Sequence, residues 1–271
     1  MQDHETLIRE EFSRQADVMA KAALFNDERV LARIREAAQL TNSSRVLDVA
    51  CGPGIVVEAL ARGAGEVVGC DVTPEMIAKA RARCASAGLT NVSFTPGRAE
   101  ALPFDDASFD VAVSRSAMHH FADPAAALRE MARVVRRGGR VITVDVMSAE
   151  SAEESALHNA LETLRDPSHV RMLPKSELQR ALAQAGLTVK SCVEWTNHRE
   201  FDEWLKITNA PERVRPLRVV MSALARCGAT AGIGLRLEGE IILFEHRAAL
   251  TVAVKQQECG PGEQTSPPAH N

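Results

Sequence analysis

No run of eighteen apolar residues occurs in this 271-residue chain, so no membrane-crossing helix is expected. The amino end is polar and helical in pattern and does not read as a signal peptide. There is no block of Lys or Arg. With a formal net charge of −4 and a pI near 6.1, the chain lacks the electrostatic footprint of a nucleic-acid binder. Six cysteines are scattered (51, 70, 84, 192, 227 and 259) and never form Cys-x-x-Cys. That excludes the usual zinc sites and a disulfide framework. Nothing else has metal-ligand spacing, so no metal is expected, and no internal repeat is evident. A cytoplasmic, soluble protein is expected, a monomer or homodimer. A chain of this length can bury one substantial core with a modest elaboration.

What the chain does contain is concentrated in Arg45-Val-Leu-Asp-Val-Ala-Cys-Gly-Pro-Gly54. Val46 to Val49 reads as a buried parallel strand. A small-residue turn follows, and an apolar helical pattern begins at Ile55. Such a turn lets a ligand approach the backbone and presents a helix N-terminus to an anionic group. Asp48, inside the strand, needs cationic or hydrogen-bonding company, because a lone buried carboxylate is costly. A dinucleotide site wants Gly-x-Gly-x-x-Gly. Here Gly52 and Gly54 are present, but the third position is Val57, which disfavours a nicotinamide oxidoreductase. No Lys-Ser/Thr follows, which excludes a P-loop. The next strand, Glu66-Val-Val-Gly-Cys-Asp71, ends in an acid that can accept both hydroxyls of an adenosine ribose. Thr73 is available as the N-cap of the following helix, which leaves Asp71 free for a ligand.

The sequence Asp-x-Ala-Cys-Gly-x-Gly resembles motif I of the class I S-adenosylmethionine-dependent methyltransferases. The stretches 96–110, 111–124 and 128–139, with the strand that follows, resemble the small-molecule branch typified by the ubiquinone and menaquinone C-methyltransferases. The likeness is continuous over roughly residues 40–147. It implies S-adenosylmethionine as cofactor, held by Asp48, Ala50, Gly52, Gly54, Asp71, Val72, Ala99, Glu100, Ser114 and Arg115. One departure stands out. The family commonly has Asp where this chain has Arg98, and Arg cannot accept a hydrogen bond from the adenine amino group. The alternatives are recognition through Ala99 and Glu100, or an Arg98 that stacks or points to solvent.

The periodicity predicts helices over 5–40, then strands near 45–50, 66–71, 91–95, 109–114 and 139–146 alternating with helices near 54–63, 74–87 and 123–136. That alternation argues for an α/β fold with a doubly wound, mostly parallel sheet. A sixth strand (187–195) and a last strand (241–254), which the family inserts antiparallel, complete a seven-stranded Rossmann-like sheet. A single domain is expected over 1–255, with a cofactor-binding core at 41–147. Segments 148–173, with its helix at 151–165, and 197–238, with a helix near 213–227, are expected to form a helical cover over the carboxyl ends of the strands, where open α/β sheets bind ligands. A further helix is expected at 175–185. Residues 256–271 read as a disordered tail.

His119 and His120, just past the fourth strand, are the candidate catalytic bases, since imidazole titrates near neutrality. His169 and Arg171, in the polar loop Asp166-Pro-Ser-His-Val-Arg171, and Trp204 are candidate substrate contacts. His4, His158, His198, His246 and His270 carry no motif and receive no role. The expected activity is methyl transfer to oxygen, nitrogen or carbon of a small organic acceptor. The alternative is a protein that binds the same cofactor but assists a different reaction such as cyclisation.

Overall fold

The computed structural model describes residues 4–22 and 25–256. The expected disordered tail therefore lies outside the described residues apart from Gln256, and so does His270. Two helices, α1 (His4–Lys21) and α2 (Glu28–Ala38), precede the sheet. The alternating part then runs β1 (Arg45–Val49), α3 (Ile55–Ala61), β2 (Glu66–Asp71), α4 (Pro74–Ser86), β3 (Val92–Pro96), β4 (Phe109–Arg115), α5 (Pro124–Val134) and β5 (Val135–Val146). After it come α6 (Ala152–Arg165), α7 (Lys175–Gln184), β6 (Leu187–Glu200), α8 (Phe201–Lys206), α9 (Val214–Arg226), β7 (Arg236–Glu238) and β8 (Ile241–Lys255).

The strand order is β3-β2-β1-β4-β5-β8-β6. The first five run parallel, and β8 is antiparallel to both its neighbours. This is the expected doubly wound sheet with its last strand inserted antiparallel. Local chemistry accounts for the helix starts. Asp27 caps α2 by accepting from Arg29 N–H, and Asp123 caps α5 by accepting from Ala126 N–H, with Pro124 in the first turn. In α2, Val30, Leu31, Ile34 and Ala38 form the buried stripe. One apolar layer lies on each face of the sheet, around Leu47, Leu128 and Met131 on one side and Val46, Val57 and Leu60 on the other. Among the described residues no helix is long and apolar enough to cross a membrane.

Three details differ from expectation. An eighth strand, β7, pairs with β8 through a tight turn at Gly239, whose φ is +62°. Strand β6 does not end at Trp195: Thr196 to Glu200 stay in register with Arg247 to Leu243 of β8. The charged residues there hid the strand, since one face of this edge ribbon is solvated. A short helix, α8, precedes the one helix expected in the second cover segment. The extended ribbon carries the cover, in which Leu161, Phe201, Trp204, Leu217, Met221 and Phe244 make a third apolar core. Trp204 is 2 % exposed. Trp204→Ala should cost about 3–5 kcal/mol of stability, read as a lower denaturant midpoint at unchanged slope. A change under about 1 kcal/mol would mean that the cover unfolds independently of the sheet.

Candidate active site

At the carboxyl ends of β1, β2 and β4 lies a cavity with about 1050 Å³ of empty space, lined by Asp48, Ala50, Gly52, Asp71, Val72, Ala99, Glu100 and Arg115, among others. Helix α1 closes one side with Ile8, Phe12 and Met19. Eight of the ten expected cofactor contacts thus meet at one place. The backbone at the strand ends is unusual: Ala50 and Ser116 both have positive φ, +57° and +53°, in a region that costs non-glycine residues energy and clusters at functional sites. Gly52 has φ +51°, and a Cβ added to it would meet nothing within 4 Å. The backbone there fronts open space, a cradle that a ligand can fill.

Gly54 and Ser114, the other two, do not line this cavity. A Cβ on Gly54 would come within 2.8 Å of Ala80 Cβ on α4, and Gly54 does not border the cavity. Its bareness serves helix packing at the N-cap of α3. Ser114 is buried and also off the cavity wall; Ser116, two residues on, takes that place.

The two acids differ in their company. Asp71 accepts from Gly52 N–H through Oδ2 and from Thr73 N–H through Oδ1, both at 2.8 Å. Thr73 makes no side-chain cap, so the carboxylate expected to be free of the turn also holds it. Burial raises its pKa, and these N–H donors pull the other way. Asp48 is 1 % exposed, with Oδ2 unpartnered. Burial, then the nearby Asp71 charge, push its pKa up to about 8, and Arg115 opposes them. Arg115 donates from Nη1 to the Phe25 carbonyl at 2.7 Å, which anchors the turn after α1. Arg98 is half-exposed and pairs with Glu5 of α1 at 3.0 Å. Glu100 accepts from Ala122 N–H at 3.0 Å.

A second cavity, with about 940 Å³ of empty space, adjoins the first under the cover. Phe12, Met19, Phe25, Arg115, Ser116 and His120 border both. On its floor His119 Nδ1 donates to Asp145 Oδ1 at 2.6 Å. A carboxylate only accepts, so Asp145 fixes the Nδ1–H tautomer and leaves the lone pair on Nε2. Burial depresses the His119 imidazole, but Asp145, supported by Glu162 and Asp166, overrides it and leaves the pKa above its usual value. His120 is driven down to about 4 by burial and then by His119.

The loop 166–171 was expected to contact substrate; instead it supports the histidine pair. Ser168 Oγ donates to Asp166 Oδ1 at 2.6 Å and so accepts from His120 Nδ1 at 3.1 Å. The N–H groups of Val170 and Arg171 both donate to the His119 carbonyl. His169 is buried, donates to Asn159 Oδ1 at 2.8 Å and borders neither cavity. Arg171 pairs with Glu177 at 3.0 Å on the surface. Trp204 does reach the second cavity, as the buried wall of the cover core. The residues with no expected place at the site are Asp145 and His4, whose Nε2 donates to the His120 carbonyl. Asp145, as the last acid of a strand in the motif region, was the one that could have been found.

The description "Methyltransferase domain" matches residues 47–143. Over 247 residues the chain is 33% identical to "Uncharacterized methyltransferase YcgJ" of Bacillus subtilis, covering 90% of this chain and 98% of that protein. The chain belongs to the class I S-adenosylmethionine-dependent methyltransferases. The crystal structure of YcgJ superposes with a TM-score of 0.80 over 85% of this chain and 99% of that one, at 32% identity. A putative methyltransferase from Bacillus halodurans superposes with 0.79 over 84% and 99%, at 29% identity. The [4+2]-cyclase SpnF shares the fold at 20% identity and a TM-score of 0.59, over 84% of this chain and 80% of that one.

If the open face of Gly52 is where the methyltransferase cofactor lies, Gly52→Ala should weaken binding of S-adenosylhomocysteine at least tenfold, and Gly52→Val should abolish it. Both variants carry a backbone strain of about 1–2 kcal/mol from the positive φ, so melting temperature is measured alongside calorimetry. Normal binding by a folded Gly52→Val would reduce the turn to a structural feature.

Proposed function

We propose that the first cavity holds S-adenosylmethionine, that the second holds a small organic acceptor, and that His119 Nε2 takes a proton from the acceptor as it is methylated. The observation that carries this reading is the shared wall. The cavity at the glycine turn shares Ser116 and His120 with a second, cover-lined cavity that a tautomer-fixed histidine borders. When bound, the cofactor supplies a methyl group already made electrophilic by its sulfonium.

The protein's part is to align, dry and deprotonate. Asp71 would accept the ribose hydroxyls, the bare Gly52 backbone would lie against the donor, and Asp48 beside Arg115 would face its amino-acid end. With Arg98 engaged by Glu5, adenine recognition would fall to the backbone at Ala99 and to Glu100. His120, held neutral and tied to Ser168, is a positioning residue between the two cavities. Asp145 keeps Nδ1 of His119 protonated so that Nε2 is the basic atom.

The test is incubation of purified protein with methyl-labelled donor and a panel of small-molecule acceptors. Stoichiometric release of S-adenosylhomocysteine with a labelled product is expected. Donor binding with turnover of an acceptor but no release of S-adenosylhomocysteine would instead indicate a protein that uses the cofactor to assist another reaction.

A further inference from the structure

Beneath the cover, His158 and Glu162 stand four residues apart on one face of α6, and His246 approaches from β8. All three side chains are buried, with 1, 3 and 7 % of their surface exposed. Glu162 Oε1 lies 3.1 Å from His246 Nε2 and 3.7 Å from His158 Nε2. The three ligand atoms lie within 4.8 Å of one another. Each is nevertheless without a hydrogen-bond partner: Glu162 Oε1, His246 Nε2 and both ring nitrogens of His158 are unsatisfied and out of contact with solvent. His246 Nε2 and Glu162 Oε1 thus stand as close as an ion pair, 3.1 Å apart, without meeting the geometry of a hydrogen bond. Buried polar atoms are seldom left in this state. Three of them converging on one point call for a common partner.

We propose that His158, Glu162 and His246 form a binding site for a divalent transition-metal ion, with its open coordination positions presented to an oxygen ligand in the second cavity. Two imidazoles and one carboxylate suit zinc, cobalt, nickel or iron and suit magnesium or calcium poorly. Two ligands at about 2.0–2.1 Å from a tetrahedral ion lie about 3.3 Å apart, so the observed 3.1 and 3.7 Å need only small adjustments, and the two imidazoles, within 4.8 Å of each other, close up to complete the triangle.

The surroundings leave the three ligand atoms available. Arg165 pairs with the other carboxylate oxygen, Oε2, at 3.1 Å, and Arg199 pairs with Glu203. Glu162 and His246 border the second cavity and His158 does not, so the ion would be backed by α6 and open toward the cavity. An acceptor hydroxyl, enol or carboxylate would coordinate there. That last point rests on reading the second cavity as the acceptor site; binding of the ion does not.

The experiment uses the full chain, stripped with chelator and titrated with Zn²⁺ by calorimetry and with Co²⁺ by visible absorption. One ion per chain is expected, with the cobalt spectrum of a nitrogen and oxygen site free of thiolate charge transfer. Glu162→Gln and His246→Gln should each weaken binding at least a hundredfold and lose the rise in melting temperature that Zn²⁺ gives the parent. Circular dichroism of the metal-free proteins shows that the variants are folded, independently of donor binding. No uptake by the parent, undiminished uptake by both folded variants, or a thiolate band placing the ion at cysteine would each overturn the proposal.

Discussion

Asp71→Ala is expected to weaken binding of S-adenosylmethionine and S-adenosylhomocysteine by a hundredfold or more. A carboxylate accepting two ribose hydroxyls contributes about 3–6 kcal/mol, taking roughly 1.5–3 for each charge-assisted bond, and each 1.4 kcal/mol is about tenfold in affinity. The structure adds to this. The same carboxylate accepts from Gly52 and Thr73 N–H, so its removal frees the glycine turn and the start of α4 together. Asp71→Asn keeps the shape and one acceptor oxygen and should lose less. Calorimetry with both variants, alongside their melting temperatures, separates lost contacts from a loosened turn. A change under threefold for Asp71→Ala would reject the assignment of this acid to the ribose.

How much of this was legible in the chain follows from how far apart the interacting residues lie in sequence. The turn Ala50 to Gly54, the acid Asp71 closing the next strand and the alternation of β1 to β5 with helices are written in local patterns, and the structure places them as expected. Gly54 was legible as a glycine the turn requires, but its reason, the approach of Ala80 on α4, belongs to the packing of two helices.

Strand β6 beyond Trp195 looked irregular because His198, Arg199 and Glu200 suit a ladder only once Glu245, Phe244 and Leu243 lie opposite. In the loop 166–171, His169 and Arg171 were expected to touch substrate, and they lie off both of the cavities described. The loop's polar residues satisfy one another and the backbone of His119, which no spacing rule reveals. His158 and His246 carried no motif for the same reason: α6 and β8 meet only in the folded cover.

The paired histidines can now be told apart. His119→Ala should slow methyl transfer by about 10²–10⁴-fold, the usual contribution of a general base, while sparing donor affinity, because His119 borders the second cavity and not the first. The base form is the neutral imidazole, and the His119 pKa is held above its ordinary value of 6.5, burial opposing and Asp145 prevailing. The rate should therefore rise with pH through an acidic limb lying above 6.5. His120, pushed down to about 4, is already neutral there and would give a limb near 4 if it were the base. The position of the limb thus assigns the proton to one ring before any variant is made. His119→Ala should then abolish the limb. Asp145→Asn should move it to lower pH, since burial remains and the carboxylate does not. His120→Ala should lower the rate less and leave the limb in place. Unchanged rates in both alanine variants would show that alignment and exclusion of water suffice, with an acceptor that needs no deprotonation.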